Sequence, residues 1–256
     1  MTQGKYFTIE KLLTIAASDQ HAGTFPANSV MVDWTPLQIP RGTNMLKSVV
    51  ALVRAKGDAG PTDNRHPFDL VFSKTNTVSL GTVRTVMAHR PSMDYLGMIS
   101  VDQNNYGGAH FDSTAIATLG GDTDNSCPPL VLQGDVSTGD NVGYDTIYVG
   151  MISQDASMDF TSINAIAEAG TAGAASTQVI TMDGTSMDVQ EHFAAGDIVH
   201  IGTSAGTPAA DSLIGTIASA DSATQITLEA ASATDLVDGD ILYNINPVKI
   251  ILGFEK

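Results

Sequence analysis

Gly202, Ser204 and Gly206 spell G-x-S-x-G directly after the apolar stretch DIVHI. That spacing serves a serine nucleophile when a sharp strand-to-helix turn exposes the hydroxyl and a histidine follows later in the chain. All six histidines (21, 66, 89, 110, 192 and 200) precede Ser204, and Thr207-Pro208 stands where the helix should open. A glycine-rich hairpin loop explains the motif better than an esterase elbow. Asp122, Asp124 and Ser126 resemble the first half of a calcium loop, but Cys127 occupies the glycine position and Gln133 the bidentate glutamate position. Asp122, Asp124, Asp135 and Asp140 offer scattered carboxylates to a cation, although a solvated acidic loop is the simpler reading. His110 with Asp112, and His192 with His200, lack the third ligand of a zinc site. The chain has no Gly-Lys-Ser/Thr phosphate loop, and no dinucleotide fingerprint follows a strand and opens a helix. Cys127, the single cysteine, precedes Pro128-Pro129, reads as a loop residue, and excludes an intramolecular disulfide. Catalytic, cofactor and metal residues are therefore all expected to be none.

The surrounding elements read as all-β. Apolar alternation at period two starts at Val30, Val32 and Trp34, where Trp34 reads as a core residue. Pro36, Pro40, Arg41 and Gly42 predict a bend. Strands are expected at 45–55, 68–73, 81–87, 96–101, 130–132, 147–153 and 158–160, between Gly/Asp/Asn/Pro clusters. Residues 1–28 read as an N-terminal arm, with a helical turn or two over 9–17. The small-residue stretch AIAEAGTAGAAS (165–176) reads as a linker or crossover. Further strands are expected at 177–182, 197–201, 213–219, 225–228 and 240–243, and a last one at 248–254. The expected architecture is an N-terminal β-sandwich or jelly-roll-like domain (29–164 plus 246–256). A second small β-barrel or sandwich domain (165–245) is inserted before the last strand, with a tandem arrangement as the alternative.

Charge is segregated along the chain. Residues 1–90 carry ten of the twelve Lys and Arg against six acids, whereas 91–248 carry no Lys or Arg and twenty-one acids; the whole chain has net charge −16. So acidic a stretch repels nucleic acid and anionic membrane, and neither is expected as a partner. No apolar run approaches the roughly 18 residues of a membrane span. The short patch at 12–17 is too small for a signal peptide, so the chain is read as starting near Met1. Aromatics make up only 6% of residues, which argues against a stacking platform for sugars or single-stranded nucleic acid. The simpler reading of this segregation is a solvated surface that keeps the protein soluble at high local concentration; the sharper one is a partner-facing N-terminal part and a solvent-facing acidic part. Arg41, Lys47, Arg54, Lys56, Arg65 and Arg84 are the candidate contact residues.

The phrases PRG at 40–42, MLKSVVALVRAKGD, FDLVFSK and LGTVR resemble structural proteins of tailed phages, especially marine and cyanobacterial ones. FAAGDIVHIG, LIGTIASADSATQITL, VDGDILY and NPVKIILGFEK are similar to small β modules of virion proteins. The resemblance implies a non-enzymatic virion component without cofactor, most simply a capsid decoration (cement) protein. Such a protein binds the major capsid protein, self-associates as a homotrimer, and sits on the capsid surface after assembly in the host cytoplasm. A tail tube, neck or fibre-associated protein is the alternative within the virion, and an extracellular β binding module the alternative outside it.

Overall fold

A computed structural model describes residues 5–57, 61–62, 64–87, 93–107, 114–120, 127, 129–136, 143–161, 165–183, 188–203 and 211–256. In chain order the elements begin β1 (Tyr6–Leu13), α1 (Ala17–His21), β2 (Val30–Pro40) and β3 (Asn44–Arg54). A minimal hairpin, β4 (Lys56–Gly57) with β5 (Pro61–Thr62), leads to β6 (Phe68–Ser73) and β7 (Tyr95–Val101). Then come β8 (Thr114–Leu119), β9 (Leu130–Leu132), β10 (Asp135–Val136) and β11 (Tyr144–Ser153). The remainder is β12 (Val179–Thr181), α2 (Val189–His192), β13 (Ile198–Thr203), β14 (Leu213–Ser222), β15 (Gln225–Leu228), β16 (Ile241–Asn244) and β17 (Val248–Glu255).

The fold is an all-β sandwich with a second β unit. One antiparallel sheet runs β1-β17-β3-β8, with β9 continuing the β8 side of β3. The other has β11 at its centre, with β2 on one side and β10, β6 and then β7 on the other. Alternate residues of both sheets point inward, as the pleat requires. They fill one core: Leu46, Val49, Ala51 and Val53 meet Leu70, Phe72, Val149 and Met151. Val248, Ile250, Leu252 and Phe254 of the last strand belong to the same core. Residues 165–244 thus leave the sandwich and return to it, because β17 lies between β1 and β3.

The second unit is a five-stranded antiparallel sheet, β12-β15-β14-β13-β16, around a separate core of Ile180, Val199, Ile201, Ile214, Ile226 and Leu242. Its two edge strands are joined by the stretch expected as a linker. Ile166 N donates to Asp240 O on one side, and Ala167 N donates to Thr181 O on the other. Residues 165–167 act as a short closing strand, and buried Ile166 plugs the barrel they complete.

Several local expectations are corrected. Residues 6–13 form an edge strand rather than an arm or helical turns, and Leu13, Ile15, Ala17 and Phe25 are buried in the body. The only helix nearby, α1, begins at Ala17. The bend expected at Pro36 does not occur; β2 runs on to Pro40. Arg41 N donates to Gly143 O, so by alternation Pro36 and Pro40 turn their missing N–H toward the open side of an edge strand, where no ladder bond is lost. Residues 81–87 are a turn rather than a strand, with Arg84 at φ +66°, and 158–160 lie outside regular structure. Thr114–Leu119 is a strand the sequence did not signal, because its core face is built from Ala115 and Ala117.

Candidate functional site

The motifs that suggested chemistry dissolve into structure wherever they are described. Gly202 lies under the Tyr243 ring, which a Cβ at that position would overlap. Packing therefore accounts for the first glycine of the G-x-S-x-G string; Ser204 and Gly206 lie outside the described residues. So do Asp122, Asp124, Asp140, His110 and Asp112. Among the described residues no three His, Cys, Asp or Glu side chains gather as a metal cage. His192 is buried against Phe193, while His200 Nδ1 contacts Asp211 O at 2.7 Å. Cys127 packs against the sandwich core, and burial pushes its thiol pKa up, away from nucleophilic use. Trp34 is half-buried, sits edge-on to Tyr95 and donates its indole N–H to Val78 O.

The six candidate contact residues divide into two groups. Arg84 donates to four carbonyls, of Asp19, Ala22, Gly23 and Thr24, and lies 4.8 Å above the Phe25 ring. It satisfies the carbonyls at the end of α1 and after it, which have no partner within so short a helix. Arg54 donates to Asp197 Oδ1 and Oδ2 at 2.8 and 2.6 Å, and to His192 O. Lys56 pairs with Asp159 at 3.4 Å, an aspartate itself tied to Thr161 and Asn64. These three hold the molecule together. Arg65 is half-buried beside Asn64. Arg41 is exposed at the β2–β3 turn, and Lys47 is exposed on β3.

Lys47 leads to the surface best built for a partner, the outer face of the first sheet. The register places Tyr6, Thr8, Glu10 and Leu12 of β1 beside Glu255, Gly253, Ile251 and Lys249 of β17. Lys249, Ile251 and Gly253 in turn stand beside Leu52, Val50 and Ser48 of β3, and Leu52 and Val50 beside Ile116 and Thr118 of β8. A register shift near Gly253 sets Lys47 outward, where it pairs with Glu255 at 3.2 Å. Lys249 pairs with Glu10 at 2.5 Å. The centre of the face is apolar: Val50, Leu52, Ile116 and Ile251 are only half-buried and belong to none of the cores. Leu12 is 48% and Tyr6 74% exposed at its border. An apolar centre with a rim of paired charges is the anatomy of a protein-binding patch.

At one end this face runs into a cleft of about 300 Å³ between Leu12, Leu52, Thr114 and Lys249 on the sheet and Gln190 to Ala194 of the second unit. Arg54 forms its floor and locks the second unit in place. Gln20 reinforces that junction, donating to Ile15 O and to Asn244 O, as does Ser18 N, which donates to Asp211 Oδ1. His192 and Asn244 line a junction cavity of about 20 Å³, room for one water. Burial, and then the Arg54 charge, lower the His192 pKa to about 4. Sequence reasoning singled out Lys47 and Arg54 through charge; Lys47 is exposed on this face, whereas Arg54 is bonded to Asp197 and the His192 carbonyl. The same reasoning missed Val50, Ile116 and Ile251, whose outward direction depends on strand register, although the unbroken apolar run VVALV was a signal that both faces of β3 are apolar.

No family model matches this chain, and no curated protein is significantly similar to it.

Proposed function

We propose that the protein is a non-enzymatic structural component of a tailed-phage virion, a decoration protein that docks the outer face of its first sheet on the major capsid protein and stabilises the head. The observation that carries this reading is the apolar centre of that face, Val50, Leu52, Ile116 and Ile251, left without a covering layer among the described residues. Lys47 and Lys249 rim it, whereas residues 165–245 contribute eleven acids and no Lys or Arg to the second unit. Docking through the sheet leaves the part of this acidic unit away from the cleft in solvent, where its charge favours solubility. The resemblance of the strand phrases to tailed-phage structural proteins supplies the choice of partner. The test is co-sedimentation with capsids assembled from the major capsid protein of the same virus. Wild type should pellet with capsids, and Lys47→Glu combined with Val50→Glu should stay in the supernatant while keeping its circular dichroism spectrum.

A further inference from the structure

We infer that β1 is a pairing edge for a second copy of this chain, joining two first sheets into one continuous face eight strands wide. The backbone fixes which groups are offered. Lys5 N donates to Lys256 O and Lys256 N to Lys5 O, so Lys5 and Lys256 form a hydrogen-bonded pair. Hydrogen bonding alternates along an antiparallel ladder. Phe7, Ile9 and Lys11 therefore direct their backbone groups to β17, and Tyr6, Thr8, Glu10 and Leu12 direct theirs outward. Among the described residues nothing pairs with that outward edge.

Only a second copy matches this edge in so definite a register. A two-fold axis normal to the sheet at Ile9 pairs Tyr6 with Leu12 of the other copy and Thr8 with Glu10, each twice. All four are residues with outward backbone groups, so every offered N–H and C=O finds a partner. The same register sets the two most exposed apolar side chains of the strand, Tyr6 at 74% and Leu12 at 48%, directly against each other. On the opposite face Lys11 meets Phe7 of the other copy, a cation beside an aromatic ring that is already stacked on Phe254. A shift by one pair in one direction would oppose Glu10 to Glu10, and in the other direction Lys11 to Lys5, so charge selects the Ile9-centred register. Continuity with the docking face adds a second reason. Four strands at about 4.8 Å spacing and about seven residues long present roughly 450 Å². Two copies side by side present about twice that, near the ~800 Å² per partner of a stable interface.

The pairing does not depend on the virion reading, and its two-fold symmetry replaces the trimer expected from the resemblance. Light scattering of the purified protein across a concentration series should give the mass of two 26.7 kDa chains. Thr8→Pro removes one outward N–H and leaves the β17 ladder intact, so this variant should be monomeric with an unchanged spectrum. A second variant, Ile9→Cys with Cys127→Ser, should crosslink to a dimer on oxidation, because Ile9 faces its own copy in a close, non-hydrogen-bonded pair. A wild type that stays monomeric, a trimer, or a dimer that survives Thr8→Pro and gives no Ile9→Cys crosslink would overturn the inference. Capsid binding by a monomer would do so while leaving the proposed function standing.

Discussion

Arg54 of the sandwich grips Asp197 of the inserted unit with two hydrogen bonds, at 2.8 and 2.6 Å, from one guanidinium nitrogen to both carboxylate oxygens. The pair sits where β3 ends and the second barrel begins, and Asp197 Oδ2 also accepts from Ala194 N. Together with Gln20 and Ser18, the Arg54 side chain holds the first sheet against the acidic unit.

Arg54→Ala should destabilise the protein by about 2 kcal/mol, since a partly buried carboxylate loses its charged partner. Arg54→Lys should recover only part of this, because one ammonium cannot hold Asp197 and the His192 carbonyl as the two guanidinium nitrogens do. Urea unfolding of the three proteins measures the difference.

Acid should loosen the same junction. His192 is neutral in the folded state with a pKa lowered from 6.5 to about 4, so between those values the unfolded chain binds the proton and the folded chain does not. Stability from this group is complete above pH 6.5 and falls as pH drops toward 4, by roughly 3 kcal/mol in total. His192→Gln should flatten this part of the profile of melting temperature against pH.

Arg84→Ala should cost about 2 kcal/mol through lost carbonyl contacts and the contact with the Phe25 ring, without changing capsid affinity once the protein is folded. Equilibrium unfolding and co-sedimentation, run on the same sample, separate the two effects.

Gly202→Ala should destabilise by about 1–3 kcal/mol, because its Cβ would overlap the Tyr243 ring in a packed site. Thermal unfolding compares it with wild type. A loss of this size would assign the glycine to packing.

How much of this was readable in the sequence follows from what local chemistry can specify. Short apolar strands, whether continuously buried like Phe68–Ser73 or alternating like Gln225–Leu228, were legible residue for residue. Lys249 after the long cation-free stretch pointed to a return of the tail to the first domain. Its seat between β1 and β3 depends on pairing over some 200 residues, which no local pattern encodes. Tyr6–Leu13 misled because Glu10 and Lys11 interrupt its alternation; as an edge strand it tolerates a charge on either face. The positive charges marked Arg54 and Arg84 as partner contacts. The structure spends both on internal carbonyls and a carboxylate, a distinction that needs tertiary neighbours.

The most direct test of the account is the affinity of the folded protein for capsids when the centre of the sheet face is changed alone. Ile116→Lys alters an outward, half-buried residue and no core contact. Capsid binding by this variant should fall tenfold or more, about 1.4 kcal/mol, with the melting temperature nearly unchanged. Unchanged binding by this variant would contradict the assignment of the first sheet as the docking face.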